Sequence, residues 1–203
     1  ANTNRYFEHY FKDLPRILRS QRTSVAILDG TESDEEIRAL GSDVFQYFGM
    51  GCRSVTKLYL PVGFDLNRLF KVWIEWSHLA NHNKYANNYD YHKAVWLLNQ
   101  VPLIENGFVL LKEDKTFLSP VGSLFYEPYA DAQSLMAHLN VHMHDLQCIA
   151  VRNPSDFQGS SVPVVPLGRT QMPMPWDYAD GVDTISFLLG LSSSQKLKPP
   201  VAE

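Results

Sequence analysis

The chain has 203 residues and carries 18 Lys and Arg against 22 Asp and Glu, for a formal net charge of −4. It has no basic block of the kind that tracks a phosphate backbone, so nucleic acid is not an expected partner. Its longest apolar runs, Phe108–Leu111 and Ile185–Leu191, fall far short of the roughly 20 residues that cross a bilayer, and no signal-peptide pattern opens it, so a soluble cytoplasmic protein is expected.

The sequence begins Ala1-Asn2-Thr3 without methionine, which points to an expression scar or an excised segment before it. Phe7, Tyr10, Phe11, Leu14, Ile17 and Leu18 form a helical stripe that Pro15 should split. Ser24–Asp29 reads as a buried strand ending at the Asp29-Gly30 turn. Ser33 and Glu36 form a capping box, and Ile37, Leu40, Val44, Tyr47 and Phe48 supply an apolar helix face that ends at Gly49. A strand over Val55–Leu60 and a helix capped by Asp65 follow. Further helices are expected over Tyr91–Asn99 and after Asp131, with strands near 108–112, 121–126, 146–151 and 162–165. The Pro-rich stretch Asn153–Asp177 reads as irregular, and a last helix is expected around Val182–Leu189. This alternation predicts an α/β fold, a largely parallel sheet flanked by helices. The organisation expected is an N-terminal helical segment over residues 1–23, one nucleophile-bearing catalytic domain over 24–191, and a disordered tail over 192–203.

Two cysteines, Cys52 and Cys148, make neither a disulfide framework nor a C-x-x-C pair. Cys148 lies in an apolar strand and is expected in the core. Cys52 sits in Gly49-Met50-Gly51-Cys52-Arg53-Ser54, where glycines permit a sharp turn and a close substrate approach. Gly51 and Arg53 would support that turn, the Cys52 N–H could face an oxyanion, and the Arg53 cation would favour the thiolate. The C-terminal end of the preceding helix would not. A buried, inert thiol remains the alternative for such a cysteine.

The stretch Asp43–Pro61, with a helix leading to a cysteine and then a strand and a capped helix, resembles the nucleophile segment of the aldehyde dehydrogenase superfamily. Gly51–Arg53, Asn87–Tyr91 and Trp176–Gly181 are similar to stretches of the acyl-CoA reductases related to the fatty-acid reductase of bacterial bioluminescence. This resemblance runs from about Ser24 to Leu189 and implies an aldehyde-dehydrogenase-like catalytic domain with Cys52 as nucleophile. It also implies an acyl-CoA substrate, an acyl-Cys52 intermediate, NADPH or NADH as hydride donor, an aldehyde product and a possible homo-oligomer. Phe117–Val121 resembles the superfamily loop beside the nicotinamide and its ribose, with Thr116 at the place of the ribose-binding glutamate and Leu118 at that of the phenylalanine. Asp29 in Leu28-Asp29-Gly30 is the nearest counterpart of the general-base glutamate, but the spacing and the acid differ. A reductase gains nothing from a base that activates water against its own acyl intermediate. The chain has no G-x-G-x-x-G, so the resemblance implies a C-terminal catalytic portion completed by an upstream nucleotide-binding domain.

Two other readings stay open. In one, Cys52 pairs with His78, His82 or His92 in a hydrolase or acyltransferase. In the other, the chain is a non-enzymatic assembly domain. His138, His142 and His144 lie near a helix end, where the dipole alone favours them, and no metal is expected there. Asn87–Tyr91 could touch CoA or the acyl chain, or simply form caps and turns.

Overall fold

The computed structural model describes residues 2–19 and 21–194. Residues 21–172 form one compact unit, and the described parts of 1–20 and 173–203 form another.

The larger unit is built on a seven-stranded sheet of order β3-β4-β5-β2-β1-β6-β7. Its strands are β1 (Thr23–Ile27), β2 (Val55–Pro61), β3 (Ile104–Glu105), β4 (Leu110–Glu113), β5 (Ser123–Tyr129), β6 (Leu146–Val151) and β7 (Val164–Pro166). Every neighbouring pair is parallel except the short antiparallel β3–β4 edge. β1 and β2 are buried almost throughout because helices cover both sheet faces. Side-chain alternation sorts them. Ala26, Leu28, Leu58 and Leu60 pack with Ile37, Leu40, Val44 and Phe45 on one face, whereas Val25, Ile27 and Tyr59 pack with Leu135 and Leu139 on the other.

The helices of this unit are α2 (Asp34–Phe45), α3 (Leu66–Val72), α4 (Asn83–Leu98) and α5 (Ala132–Val141). The Ser33–Glu36 capping box forms as expected, with Glu36 N–H donating to Ser33 Oγ at 3.2 Å and Ser33 N–H to Glu36 Oε2 at 2.7 Å. Asp65 and Asp131 also cap their helices, through Asn67 N–H and Ser134 N–H.

Two elements differ from expectation. The helix capped by Asp65 gives way after Val72 to a 3-10 stretch, Trp73–Asn81, where the Trp73 indole donates to the Ile37 carbonyl at 2.8 Å. The next helix starts at Asn83, not Tyr91, with the His82 Nδ1 accepting from Tyr85 N–H. Its polar first half has weak helix propensity, which the burial of Tyr85 and Tyr89 at four-residue spacing overrides. The segment Asn87–Tyr91 is therefore helix interior.

In the other unit, α1 (Asn2–Tyr10) ends before Pro15, and α6 (Thr184–Ser194) follows a short 3-10 turn at Ala179–Gly181. Arg19 pairs with Asp180 at 3.5 Å and donates to the Thr184 hydroxyl at 3.2 Å. Of the tail expected from Ser192, residues 192–194 belong to α6 and 195–203 lie outside the described residues. No helix among the described residues is long and apolar enough to cross a membrane.

Trp73 is fully buried and meets the Phe45 ring edge-on at 5.3 Å. Trp73→Ala should cost about 3–5 kcal/mol through the cavity it leaves, read as a lower urea midpoint by circular dichroism.

Candidate functional site

The turn from α2 back to β2 delivers Cys52 to the amino-terminal edge of the sheet. Phe48 and Gly49 both take positive φ, 58° and 74°, a conformation that costs glycine little and suits the end of a helix. The turn closes with Ser54 N–H donating to the Gly51 carbonyl at 2.9 Å and Gly51 N–H to Ser54 Oγ at 3.2 Å. A Cβ at position 51 would lie 3.3 Å from that same hydroxyl. Gly51 thus keeps the turn tight, and Cys52 is exposed at its tip.

Three groups hold the turn from behind. Ser24 Oγ, in β1, donates to the Cys52 carbonyl at 3.0 Å and lies 3.2 Å from Cys148 Sγ. Arg53 Nη1 donates to the Thr170 carbonyl at 3.2 Å, and Gln171 Nε2 reaches Ser54 Oγ at 3.4 Å. The segment around Thr170 is itself fixed by Asp43, a fully buried carboxylate on α2. Asp43 accepts from Gly168 N–H at 2.6 Å, Thr170 N–H at 3.0 Å and the Thr170 hydroxyl at 2.7 Å. Burial pushes the Asp43 pKa up, against the pull of these three donors. Gly168 has φ of 80°, and a Cβ there would sit 2.7 Å from that of Ala39, so only glycine lets this segment lie against α2.

This geometry decides which amides face outward. A trans peptide sets its N–H opposite its C=O, and Ser24 holds the Cys52 carbonyl toward the interior, so the Arg53 N–H points away from it. Among the described residues neither the Cys52 nor the Arg53 N–H donates a hydrogen bond. The Arg53 guanidinium, expected to favour the thiolate, donates one hydrogen bond to the Thr170 carbonyl.

The loop bearing Thr116 and Leu118 reaches the same edge of the sheet. Thr56 Oγ1 donates to the Phe117 carbonyl at 2.7 Å and lies 2.6 Å from Thr23 Oγ1, which in turn reaches the Ser54 carbonyl at 3.4 Å. Beside this relay is a cavity of about 240 Å³ lined by Thr23, Thr116, Phe117, Leu118 and Asp145, among others. Thr116 donates its N–H and hydroxyl to Asp114. Burial raises the Asp114 pKa, but Lys112 and Thr116 outweigh it and bring it to about 2.

Other candidates lie elsewhere or have local partners. Asp29 follows β1 at its carboxyl end and accepts from Thr31, roughly 20 Å from the Cys52 edge by strand rise. His78 Nδ1 lies 2.9 Å from the Glu75 carbonyl, His82 caps α4 and stacks on Phe48 at 4.6 Å, and His92 packs beside Trp96. Among the described residues no imidazole hydrogen-bonds to Cys52. His138 and His142 lie 4.5 Å apart, ring to ring, beside Phe117, and no metal-holding group of three or more occurs among the described residues.

Sequence reasoning missed Asp43, Ser24 and Thr170. An acid between Leu40 and Val44 on an otherwise apolar helix stripe was the one signal for Asp43.

No protein-family model and no curated protein sequence matches the chain. Solved structures do. The Delta-pyrroline-5-carboxylate dehydrogenase of Mycobacterium tuberculosis, bound with NAD, matches at a TM-score of 0.59 and 14% identity over 91% of this chain and 44% of that protein. The betaine aldehyde dehydrogenase of Staphylococcus aureus, in complex with NAD+, matches at 0.54 and 9% identity over 82% of this chain and 42% of that one. The chain therefore has an aldehyde-dehydrogenase-type α/β fold, and it spans less than half the length of these enzymes.

Burial raises the Cys148 pKa from 9.0 to about 11, against the Ser24 hydrogen bond, so native alkylation at mildly alkaline pH should modify Cys52 and spare Cys148, as peptide mass spectrometry would read. A thiol raised in the folded state contributes stability that is complete below pH 9.0 and is lost as pH rises through about 11. Cys148→Ala should flatten that part of the stability-against-pH curve. Asp43→Ala, which orphans three donors, should cost about 3 kcal/mol in urea unfolding.

Proposed function

We propose that this chain is the catalytic portion of an NAD(P)H-dependent acyl-CoA reductase that converts an acyl thioester to an aldehyde through acyl-Cys52. The observation that carries the reading is the exposed Cys52 thiol on a turn held by Ser24, Gly51 and Ser54, within an aldehyde-dehydrogenase-type fold.

The chemistry begins with the Cys52 thiolate attacking the thioester carbonyl. A new C–S bond forms and the carbonyl electrons move to oxygen, where the outward Arg53 N–H and the Cys52 N–H are the donors at hand. Collapse of this oxyanion expels CoA as its thiolate and leaves acyl-Cys52. Acyl-Cys52 then accepts hydride at its acyl carbon to give a second oxyanion, whose collapse breaks the C–S bond, releases the aldehyde and restores the Cys52 thiolate, so neither half-reaction uses water as a nucleophile. The distance of Asp29 from the turn supports this, since Asp29 is not placed to raise a hydroxide against the acyl group.

A cavity of about 240 Å³ is smaller than the roughly 300–1,000 Å³ that encloses drug-sized ligands. We assign to it the nicotinamide and ribose end of a dinucleotide and not the whole. In this reading Thr116 and Leu118 line that end, with the Thr116 oxygen free to accept from a ribose hydroxyl while its proton is held by Asp114. When bound, the nicotinamide supplies hydride. The pyrophosphate and adenosine belong in this proposal to an upstream nucleotide-binding domain. NADPH and NADH are both compatible with the cavity, and a homo-oligomer is compatible with the fold.

The test is aldehyde formation from a long-chain acyl-CoA by the full-length enzyme with NADPH or NADH. Cys52→Ala should abolish it, a loss of at least about 10³-fold, as removal of a covalent nucleophile does. Free fatty acid as the product, formed at the same rate without nicotinamide, would replace the reductase with a cysteine hydrolase.

A further inference from the structure

Lys57 is fully buried in the middle of β2, where its neighbours Leu58, Tyr59 and Leu60 are apolar core. Its Nζ donates to Glu127 Oε2 at 2.5 Å and to the Lys115 carbonyl at 2.9 Å, and it lies 4.8 Å from the Tyr59 ring centre and 5.5 Å from that of Phe117. Burial lowers its pKa, with Glu127 opposing the shift.

Stability is a poor reason to keep such an ion pair. Taking an ammonium out of water costs several kcal/mol, and an apolar replacement of the pair is often neutral or better. What an apolar side chain cannot do is grip a backbone carbonyl. Lys115 lies in the loop that continues through Thr116, Phe117 and Leu118, the wall of the cavity. Thr56, the preceding residue of β2, grips the Phe117 carbonyl. Adjacent strand residues project to opposite faces, so the loop is tied by one donor from each face of the strand that begins just after the Cys52 turn.

We propose that Lys57 is a positioning residue that sets the loop bearing Thr116 and Leu118 against the Cys52 turn, and so fixes where the nicotinamide end of the cofactor lies relative to the thiol. This rests on the reductase reading for its functional consequence, though not for the geometry. Lys57 acts on cofactor placement, whereas thiol acylation is independent of it.

The experiment compares Lys57→Met, Lys57→Arg and the pair Lys57→Met with Glu127→Leu in the full-length enzyme. The double variant leaves no orphaned charge, so it is expected to fold even where the single Met variant fails. Expected are faster amide hydrogen exchange at 115–118, a KM for NADPH or NADH raised about tenfold from the loss of a charged hydrogen bond, and a rate of Cys52 acylation by acyl-CoA within about twofold of the wild type. Lys57→Arg, which keeps donors for both acceptors, should restore the KM. A folded double variant with wild-type exchange at 115–118, or with loosened exchange and an unchanged cofactor KM, would overturn the positioning role. A wild-type enzyme that neither acylates Cys52 nor forms aldehyde would instead defeat the reductase reading. In that event the exchange at 115–118 alone decides whether Lys57 holds the loop.

Discussion

A carboxylate on the buried stripe of a helix is tolerable only where donors fill its lone pairs, and Asp43 fills them from a segment more than a hundred residues downstream. That bonding requirement fixes residues 168–170 against α2, and the fixed Thr170 carbonyl then holds Arg53. The thiol turn is thereby gripped on one side from the end of the larger unit and on the other by Ser24 of β1. Both grips act on groups flanking the Cys52 side chain, leaving the sulfur exposed. Such a turn is held in place by the fold itself.

The two ends of the parallel sheet have different characters. Open α/β sheets usually take their ligands at the carboxyl ends of the strands. Here that edge holds Asp29, Thr31 and Glu32 in local contacts: the buried Glu32 carboxylate accepts from Asp29 N–H at 2.5 Å and Gly30 N–H at 3.0 Å, and Arg152 donates to the Thr31 hydroxyl at 2.6 Å. Cys52, Ser24, Thr56 and the loop ahead of β5 gather at the opposite edge. With the thiol before β2 and Asp29 after β1, the two side chains are separated by about the length of a strand.

Much of the fold is legible in the sequence because its signals are local. Ser33 with Glu36, Asp65 and Asp131 mark helix starts through bonds that span three residues or fewer. The apolar runs at 24–28 and 146–151 are strands because both faces are covered. What was not legible depends on distant partners. The early start of α4 rests on Tyr85 and Tyr89 reaching the core, and the 3-10 stretch after Val72 accompanies a bond from Trp73 to Ile37. At the site, the glycine turn and Cys52 are legible in the sequence, but the bond that Arg53 makes to the Thr170 carbonyl is not. The irregular segment 153–177 gave no local sign that part of it would brace the turn.

The most direct measurement is intact-protein and peptide mass spectrometry after incubation with a long-chain acyl-CoA and no nicotinamide. The account predicts a single acyl group on Cys52, none on Cys148, persisting in water until hydride is supplied. An unmodified Cys52 in the native fold, or an adduct that turns over in water without nicotinamide, would contradict it.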